Sequence, residues 1–541
     1  MSGVIIATVF SNGKSMSSKY HLMYIDVIKE ANKIPLAQII LLDGDPSLQK
    51  FEISNEDFFE PGREIEIKLR YDDLADRTVF RGFVVRHRVN ADRRSSYLTL
   101  DLKDIATILT SQRKSAVFKE QKDSEIIKQI LNKYKEDSLS LENIETTKVK
   151  HPEMLQYYCT DWDFILSRVE ANGQWMLVDR GKITIKTPEF NGQIKHKFTM
   201  TGEVIVYDFE MEADIRHQYD AVETTGWNIK KQELIPPKKA NSFSLAQGNL
   251  KPGNLAQKIG ANRCQLITPT AIGSEELEAW ADAKMIKSRI SMLRGHIKVD
   301  GDADIQLGNV IEIDGIGDRF NGKTLVTGVR HQVNEDGWQT DVQFGLSANW
   351  FSQTNNDIID TPVAGLVPGI NGLHIGIVAK YQDDPDKQFR VPVKIPALNA
   401  NNTDDLIWAR LASPEAGKGR GIFFRPEPGD EVVLGFLNDD PRQPIILGSM
   451  FSSKNNLPEG FEVTKNNNQK GILTKKSLKI LFDDREEFLE ISTPKGICLQ
   501  DKNGNKLTMN DKGIEIKSKK DLIIDVGSNK VTIKASEVQN S

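Results

Sequence analysis

Two short motifs carry residue types that could bind a ligand. The glycine-rich run 417–421 could cradle a phosphate, but it lacks the spacing of a nucleotide-binding loop and leads into a predicted strand at 422–424 instead of a helix. The acidic run 300–304 has the first acidic positions of a calcium loop, but Ile305 and Ile311 stand where such a loop needs glycine and glutamate. Both runs are therefore expected to be turns, and the sequence predicts no metal ion and no cofactor.

Histidines and aromatic residues give two further candidates. His87 and His331 each follow an arginine inside a repeated block, so the fold explains them better than catalysis does. Trp408, Phe423 and Phe424 could stack on the bases of a single-stranded nucleic acid. Aromatic side chains in strands belong more often to a core, and we expect that of these three. The sequence thus predicts no catalytic residue and no enzyme.

Composition limits the class of protein. The chain has 541 residues, which suggests three or four domains, and its net charge of −5 argues against a broad basic surface for nucleic acid. Cys159, Cys264 and Cys498 are far apart and odd in number, which favours a reducing compartment over a disulfide framework or a zinc site. Residues 1–7 lack the basic start of a signal peptide, and no apolar run is long enough for a membrane span.

The first 360 residues contain an internal echo that predicts two related β-domains. Pro61–Ile67 resembles Leu307–Ile313, and Val85–Asn90 resembles Val329–Asn334 in the same order. Both copies then end in an alternating strand. We expect region 1–360 to be a hub with two tandem β-barrels, at about 1–110 and 215–350, and chance similarity among strands is the alternative.

Helices are expected between these β-domains. Residues 123–135 have helical apolar spacing with Asp123 or Ser124 as the N-cap, and Asp161–Ala171 should end before Gly173. Ser274 is expected to cap a third helix, whose acidic start and basic end suit the helix dipole.

A linker rich in proline, glycine and small residues, 357–372, separates the hub from a compact β-region. Five apolar runs between residues 373 and 450 suit a small closed barrel of the OB type. A polar stretch, Ser452–Gln469, follows this predicted domain.

The last segment, 472–541, has seven short apolar runs with the period of strands. One such ribbon has an apolar face and no helix to cover it, so it cannot bury enough area to be stable alone. Three chains wound together would bury that face, which predicts a trimeric β-helix needle, and an ordinary antiparallel β-domain is the alternative. The expected needle core is Leu478, Ile480, Leu489, Ile491, Ile497, Leu499, Leu507, Ile514, Ile516, Ile523, Val531 and Ile533.

A set of segments between residues 408 and 449 carries a family resemblance. They are Trp408-Ala409-Arg410, the runs 416–421 and 425–432, and the runs 436–441 and 444–449. As a set they resemble the OB domain of VgrG-type spike proteins, which occur in type VI secretion systems, phage-tail-like extracellular injection particles and contractile phage baseplates. The N-terminal segments 59–62 and 161–165 are similar to the same family, so the resemblance covers essentially the whole chain.

The resemblance implies a homotrimer on the axis of a baseplate. Two barrels per chain would give six similar units that match a hexameric inner tube protein, with other baseplate proteins around them. The needle would carry a PAAR-type tip protein and effector cargo, and sheath contraction would drive it through a target membrane by mechanical puncture. We expect the tip protein to bind at Leu522, Ile524, Val531 and Ile533.

The resemblance also implies a place of assembly. Because no signal peptide is recognised, the chain should assemble in the bacterial cytoplasm and become part of a particle that is released or delivered into target cells. The residues do not decide between a type VI machine, an extracellular particle and a phage tail, although the compact length favours the extracellular particle.

Two other functions stay open at this point. A tailspike-like surface-glycan depolymerase would need paired carboxylates in a groove of a long β-helix, whereas the acidic pairs 483–484 and 486–487 lie in a predicted turn. An OB-fold nucleic-acid-binding protein is the other alternative. The predicted fold class is mainly β and multi-domain: two tandem hub barrels with inserted helices, an OB-fold barrel and a C-terminal trimeric β-helix needle.

Overall fold

The computed structural model describes residues 3–44, 50–72, 74–92, 95–200, 204, 206–396 and 406–539. Met1 and Ser2, at the start of the segment searched for a signal peptide, lie outside the described residues. The chain divides into two compact units, Met1–Asp360 and Thr361–Ser541. We call them the N-terminal unit and the C-terminal unit.

The N-terminal unit begins with a β-rich block that contains one short helix. Alternating apolar residues such as Ile65, Ile67 and Leu69 are fully buried, as expected for strands with one face toward a core. The elements are β1 (Ile5–Ser11), β2 (Lys14–Ser15), β3 (His21–Glu30), β4 (Leu36–Leu42), α1 (Glu52–Asn55), β5 (Glu64–Tyr71), β6 (Arg77–Ala91) and β7 (Ser96–Asp104).

A helical insertion follows and has its own apolar core. Ile126, Ile130, Ile165 and Val169 are buried together between its two helices and the neighbouring strands. The elements are β8 (Arg113–Lys122), α2 (Asp123–Leu131), β9 (Ser140–Ile144), β10 (Lys150–Thr160), α3 (Asp161–Ala171), β11 (Trp175–Asp179) and β12 (Lys182–Lys186).

A second β-rich block completes the N-terminal unit. Its core includes Ile297, Val329, Val342 and Phe344. The strands are β13 (Ile194–Thr199), β14 (Val206–Ala213), β15 (Ala221–Thr225), β16 (Trp227–Asn228), β17 (Glu233–Leu234), β18 (Lys238–Lys239), β19 (Ala246–Gln247), β20 (Arg263–Ile267), β21 (Leu293–Asp300), β22 (Val310–Asp314), β23 (Gly322–Asn334) and β24 (Gly337–Phe344). The helices are α4 (Pro252–Lys258), α5 (Ser274–Ile290) and α6 (Phe351–Thr354).

The two β-rich blocks share one order of neighbouring strands. In the first block the order is β1-β5-β6-β7-β4-β3, and in the second it is β13-β22-β23-β24-β21-β14. Strand β23 also pairs with β3, so both blocks lie in one 14-stranded sheet. The structure therefore differs from the expectation of two separately closed barrels, and the second block begins at Ile194 instead of near residue 215.

The helices lie where the sequence placed them, but the end of α2 and the N-caps of two helices differ from the expectation. Helix α3 has the expected bounds, and Gly173 beyond it adopts a φ of +67°, which favours glycine. Helix α2 ends at Leu131 and continues as a 3₁₀ turn, whereas a single helix to residue 135 was expected. Asp123 and Ser274 are first helical residues and not N-caps, because Lys122 and Gly273 hold the extended cap conformation.

The C-terminal unit contains the expected OB-type barrel. Strands β25, β26, β27, β31 and β30 close on one another in that order, around a core that includes Val391, Val393, Ala409, Val432 and Leu434. The five-stranded closed barrel predicted for 373–450 is confirmed. Its strands, with one small hairpin, are β25 (His374–Val378), β26 (Val391–Lys394), β27 (Ile407–Leu411), β28 (Ala416–Gly417), β29 (Arg420–Gly421), β30 (Glu431–Phe436) and β31 (Pro444–Ser449).

The segment 469–539, which we call the ribbon, forms two antiparallel three-stranded sheets. Of the seven apolar runs expected to be strands, the first five are strands, and β32 precedes them. The runs at 522–526 and 531–533 are not strands in this chain, because neither has a backbone ladder with another described segment. The strands are β32 (Gln469–Leu473), β33 (Lys479–Asp483), β34 (Phe488–Ser492), β35 (Gly496–Gln500), β36 (Lys506–Asn510) and β37 (Gly513–Lys517).

Among the described residues, no helix combines the length and the apolar character needed to cross a membrane.

Candidate functional site: apolar ribbon and hub ion pairs

The ribbon places its apolar residues in rows across its strands. Ile497 lies opposite Met509 on β36, and Met509 lies opposite Ile514 on β37. Cross-strand neighbours share a face, so these side chains form one continuous apolar row. These rows therefore give each of the two ribbon sheets one apolar face. The parallel rows are Leu499, Leu507 and Ile516, and in the other sheet Ile472, Ile480 and Ile491.

The expected needle core is not buried within a single chain. Exposed fractions run from 37% at Ile480 to 82% at Ile523, and Ile497 and Leu507 are half-buried. All four residues of the expected tip are exposed as well, with Ile533 at 70%. The side chains that should form a core thus form an open apolar surface.

Part of the opposite face of the first ribbon sheet is covered within the chain. Leu481 is buried, although its neighbours Ile480 and Phe482 are exposed. At Gly471, opposite Leu481, an added Cβ would come 2.9 Å from the Phe461 ring. The same Cβ would come 2.1 Å from the Ile480 carbonyl oxygen, so the close approach of this backbone and of the ring requires glycine here.

Two of the three aromatic residues singled out in the OB domain are not where the sequence placed them. Residues 422–424 follow the β28–β29 hairpin as a loop and not as a strand. Phe423 and Phe424 are 76% and 60% exposed, so the expectation that they belong to the core is wrong. Trp408 is half-buried in β27, where the Arg390 guanidinium lies 5.8 Å from its ring.

The acidic run 300–304 is a turn at the end of β21. The Asp302 carboxylate accepts a hydrogen bond from the Asp304 backbone N–H at 2.8 Å, and Tyr207 donates to Asp300 at 2.7 Å. The described residues contain no cluster of three or more His, Cys, Asp or Glu with metal-site geometry. A cleft of about 950 Å³ adjoins the turn and is lined by side chains that include His196 and Trp338.

The two echoed histidines have structural partners. His331 is buried, and its Nδ1 lies 3.0 Å from Thr340 Oγ1. Burial lowers the pKa of His331 to about 3, and the Lys29 charge adds to this, so the ring is neutral at physiological pH. His87 Nδ1 lies 3.1 Å from the Phe59 carbonyl oxygen. Both contacts belong to the fold.

A buried ionic cluster joins the helices of the insertion, and the sequence did not predict it. The fully buried Asp123 accepts a bidentate pair of hydrogen bonds from Arg168 at 2.8 and 3.0 Å, and others from Asn172 and His151. Burial disfavours the Asp123 carboxylate, but these hydrogen bonds outweigh it and hold its pKa well below the usual range. Arg168 also contacts Glu276 on α5 at 3.3 Å.

A second buried carboxylate lacks such a partner. Asp104 accepts hydrogen bonds from the backbone N–H groups of Ala106 at 2.9 Å and Gly181 at 3.1 Å. Burial outweighs these two bonds and raises the pKa of Asp104 to about 6. Its signal in the sequence was only an acidic residue at the end of an apolar strand.

The fold so described is that of a mainly β, multi-sheet protein with an OB-fold barrel and an apolar ribbon. Residues 1–335 match the family described as the Alg8 N-terminal domain. Residues 374–451 match the OB domain of type VI secretion system and phage-baseplate injectors. The chain belongs to the Alg8 N-terminal domain family, and its OB domain is similar to that of VgrG-type spike proteins and phage-baseplate tail proteins.

Relatives from two organisms illustrate the similarity. The spike protein VgrG1b of Pseudomonas aeruginosa is 23% identical over 397 residues, which cover 68% of this chain and 51% of that protein. The spike protein VgrG3 of Vibrio cholerae is 34% identical over 96 residues, which cover 17% of this chain and 9% of that protein. The chain thus spans about half or less of the length of these relatives.

Two solved structures are also similar. A tail protein from Neisseria meningitidis has a TM-score of 0.46 and 13% identity, covering 64% of this chain and 98% of its own. The half-lidded Francisella PdpA–VgrG complex has a TM-score of 0.45 and 10% identity, covering 95% of this chain and 87% of its own.

Proposed function

We propose that the chain is the homotrimeric central spike of a contractile injection machine. It joins the inner tube to the tip and pierces a target envelope when the sheath contracts. The observation that carries the proposal is the exposed apolar face of the ribbon in a chain of the spike family. The role is mechanical and involves no catalytic residue and no cofactor.

Three ribbons would complete each other. Each aliphatic side chain that becomes covered contributes roughly 1.5–3 kcal/mol, so rows such as Ile497, Met509 and Ile514 favour association strongly. The runs 522–526 and 531–533 would gain backbone partners from the neighbouring chains, which completes the needle over 472–541. The apolar rows then become the needle core, as the sequence predicted.

The repeated blocks suit a ring that contacts a tube. The shared strand order makes the two halves of the N-terminal unit similar structural units. Three chains would contribute six such units, each contacting a different subunit of a hexameric inner tube protein. Other baseplate proteins would surround this ring.

The end of the ribbon suits a cap. Leu522, Ile524, Val531 and Ile533 are exposed and would leave an apolar, blunt end even in a trimer. A PAAR-type tip protein that carries effector cargo would bury this end. In this proposal the spike assembles in the bacterial cytoplasm, leaves in an injection particle and meets the target membrane only by puncture.

Mass photometry and low-resolution imaging of the purified chain test this function. We expect a mass of three chains and an outline with a ring and a thin needle. A well-folded monomer at nanomolar concentration would contradict the trimer, and the absence of a needle would contradict the proposed role of the ribbon.

Truncation after Gly513 tests the tip. The shortened chain should still form a trimer through its N-terminal units but should fail to co-purify with the tip protein and to support injection. A full-length chain carrying Lys519→Ala, a substitution in a polar loop, serves as the control and should retain the tip protein. Full retention by the truncated chain would show that the tip protein binds elsewhere.

A further inference from the structure

The two β-rich blocks are joined inside the chain by one strand pair. The second half of β23, Gly328–Val333, pairs antiparallel with Glu30–Ile25 of β3. Arg330 on β23 donates two hydrogen bonds to Asp26 on β3, at 2.8 and 2.7 Å. A bidentate pair of this kind fixes the register of the two strands as well as stabilising them.

The shared strand order identifies the counterparts of both strands. Arg86 on β6 lies opposite Asp101 as Arg330 on β23 lies opposite Asp341, so β6 corresponds to β23. The next strands continue the match, because Asp101 lies opposite Gln38 and Asp341 opposite Lys298.

The correspondence extends to β3 and β14, the next strands in each block. Gln38 lies opposite Asp26 on β3, and Lys298 lies opposite Asp208 on β14. Strand β14 therefore corresponds to β3, and Asp208 corresponds to Asp26. The chain holds a second set of the residues that make the internal joint, but on strands that do not meet.

Both counterpart strands have an open edge. Among the described residues, the part of β6 from Arg86 to Val89 pairs only with β7, because β5 pairs with the earlier part that ends at Phe83. In the same part of the chain, β14 pairs only with β21 and ends the sheet. In β23, the residues that correspond to Arg86–Val89 of β6 lie along the edge that pairs with β3.

Exposure distinguishes the open edges from the closed joint. The side chains of Arg86 and Asp208 are 66% and 64% exposed, compared with 37% and 13% for Arg330 and Asp26. Apolar neighbours follow the same pattern, since Phe209 on β14 is 42% exposed while its counterpart Val27 is buried. The open edges of β6 and β14 thus carry charged and apolar residues like those of the β23–β3 joint, but neither edge has a partner strand among the described residues.

We propose that β14 of one copy of this chain adds to β6 of the next copy and repeats the β23–β3 joint between subunits. The register of the internal joint places Arg88 opposite Asp208 and Arg86 opposite Glu210. Arg86 then reaches Asp208 diagonally, as Arg330 reaches Asp26. The proposal rests on the trimer of the proposed function and specifies how its subunits meet.

The charges of the two edges are complementary. Arg86 and Arg88 share one face of β6, and a guanidinium nitrogen of each lies 3.7 Å from the Asp101 carboxylate. Asp208 and Glu210 share one face of β14, where Asp208 lies 3.8 Å from His296. Two arginines facing two carboxylates favour this pairing of edges and disfavour the pairing of either edge with itself.

A second copy is the occupant because one chain cannot make the contact. Strand β14 ends the sheet, while β6 lies beyond β23, β3, β4 and β7 in the strand order. Each chain therefore offers one donor strand and one acceptor edge. Such head-to-tail contacts form a closed ring when the rotation between copies is one third of a turn, as a trimer requires.

Cysteine cross-linking tests the register directly. Arg88→Cys with Asp208→Cys, in a Cys498→Ser background, should give covalent dimers and trimers on a denaturing gel after mild oxidation. Gln332→Cys with Asp26→Cys, the corresponding pair at the internal joint, is the matched control and should link within one chain without a change in mass. Only monomeric bands from the first pair, in a protein that mass photometry shows to be a trimer, would overturn the proposed joint and leave the proposed function standing.

Charge reversal gives an independent readout. Arg86→Glu with Arg88→Glu, or Asp208→Arg with Glu210→Arg, should weaken trimer formation by at least about tenfold, because like charges then face each other. Combining all four substitutions should restore most of the association. Unchanged assembly in each variant would contradict the joint, whereas a monomeric wild-type chain would contradict the proposed function itself.

Discussion

The N-terminal unit and the ribbon differ in which side chains they bury and which they expose. The N-terminal unit buries charged groups such as Asp123 and supplies partners for them within the chain. The ribbon exposes aliphatic groups such as Ile514 and Ile523, and the described residues provide no cover for its apolar face. The difference shows which side chains find their partners within one chain and which depend on other chains.

Removing the cation of the buried cluster should have the largest effect on the N-terminal unit. Arg168→Leu leaves Asp123 buried without its main partner, and loss of one member of such a pair costs about 3–5 kcal/mol of unfolding free energy. Urea denaturation followed by tryptophan fluorescence measures the loss.

Two variants control this measurement. Arg168→Leu combined with Asp123→Asn removes the uncompensated charge and should recover part of the stability. Arg77→Ala, at an exposed pair with Asp304, should leave the urea midpoint nearly unchanged. A loss in Arg168→Leu no greater than in Arg77→Ala would mean that the cluster is not the internal support described here.

Asp104 should give the next largest effect, seen as a dependence on pH. Because its pKa is raised to about 6 in the folded chain, the folded state holds this proton more tightly than the unfolded state. The contribution to unfolding free energy is therefore fully present below about pH 4 and is lost as pH rises through 6, by about 3 kcal/mol.

Asp104→Asn should remove this pH dependence. The stability of the variant relative to wild type should rise by about 3 kcal/mol between pH 4 and pH 7. Urea midpoints at the two pH values provide the measurement. A constant difference would show that Asp104 ionises as freely in the folded chain as in the unfolded one.

His331 should act in the opposite direction and with a smaller effect near neutral pH. Its folded pKa of about 3 lies below the unfolded value, so the unfolded state takes up the proton first as pH falls. The stabilising contribution is present above about pH 6.5 and declines below it, by about 2 kcal/mol at pH 5. His331→Gln should show correspondingly less destabilisation between pH 7 and pH 5, and equal losses in both proteins would contradict a buried neutral ring.

Local patterns predicted the parts of the molecule that depend on near neighbours. The bounds of α3, the five barrel strands and the first five ribbon strands follow from apolar period and turn residues. The loop at 422–424 was not predicted, because an apolar run by itself does not determine whether the segment pairs with another strand. The last two ribbon runs have strand periodicity but no ladder in one chain, which periodicity cannot foresee.

Long-range contacts account for most of the remainder. Asp123 and Arg168 lie on different helices, so the sequence suggested only a helix cap for Asp123. The echo of Arg86 in Arg330 was visible in the sequence, but the pairing of β23 with β3 was not. Register between distant strands is set by the whole sheet, which is why the joint and its open counterpart emerge only from the structure.

A substitution in the ribbon should have the smallest effect on the stability of the N-terminal unit. All seven tryptophans lie at or before Trp408, so fluorescence reports the N-terminal unit and the OB barrel but not the ribbon. Ile514→Ser should leave the fluorescence transition unchanged. In the trimer, however, it removes a covered aliphatic group, at roughly 1.5–3 kcal/mol per chain, and should make the ribbon more sensitive to protease.

Glu515→Ser, on the other face of β37, is the matched control, because both side chains are exposed in one chain and only the isoleucine belongs to an apolar row. If the two variants resist protease equally, the apolar face is not covered by other chains, and the contrast fails between buried charges paired within one chain and an apolar face that other chains cover.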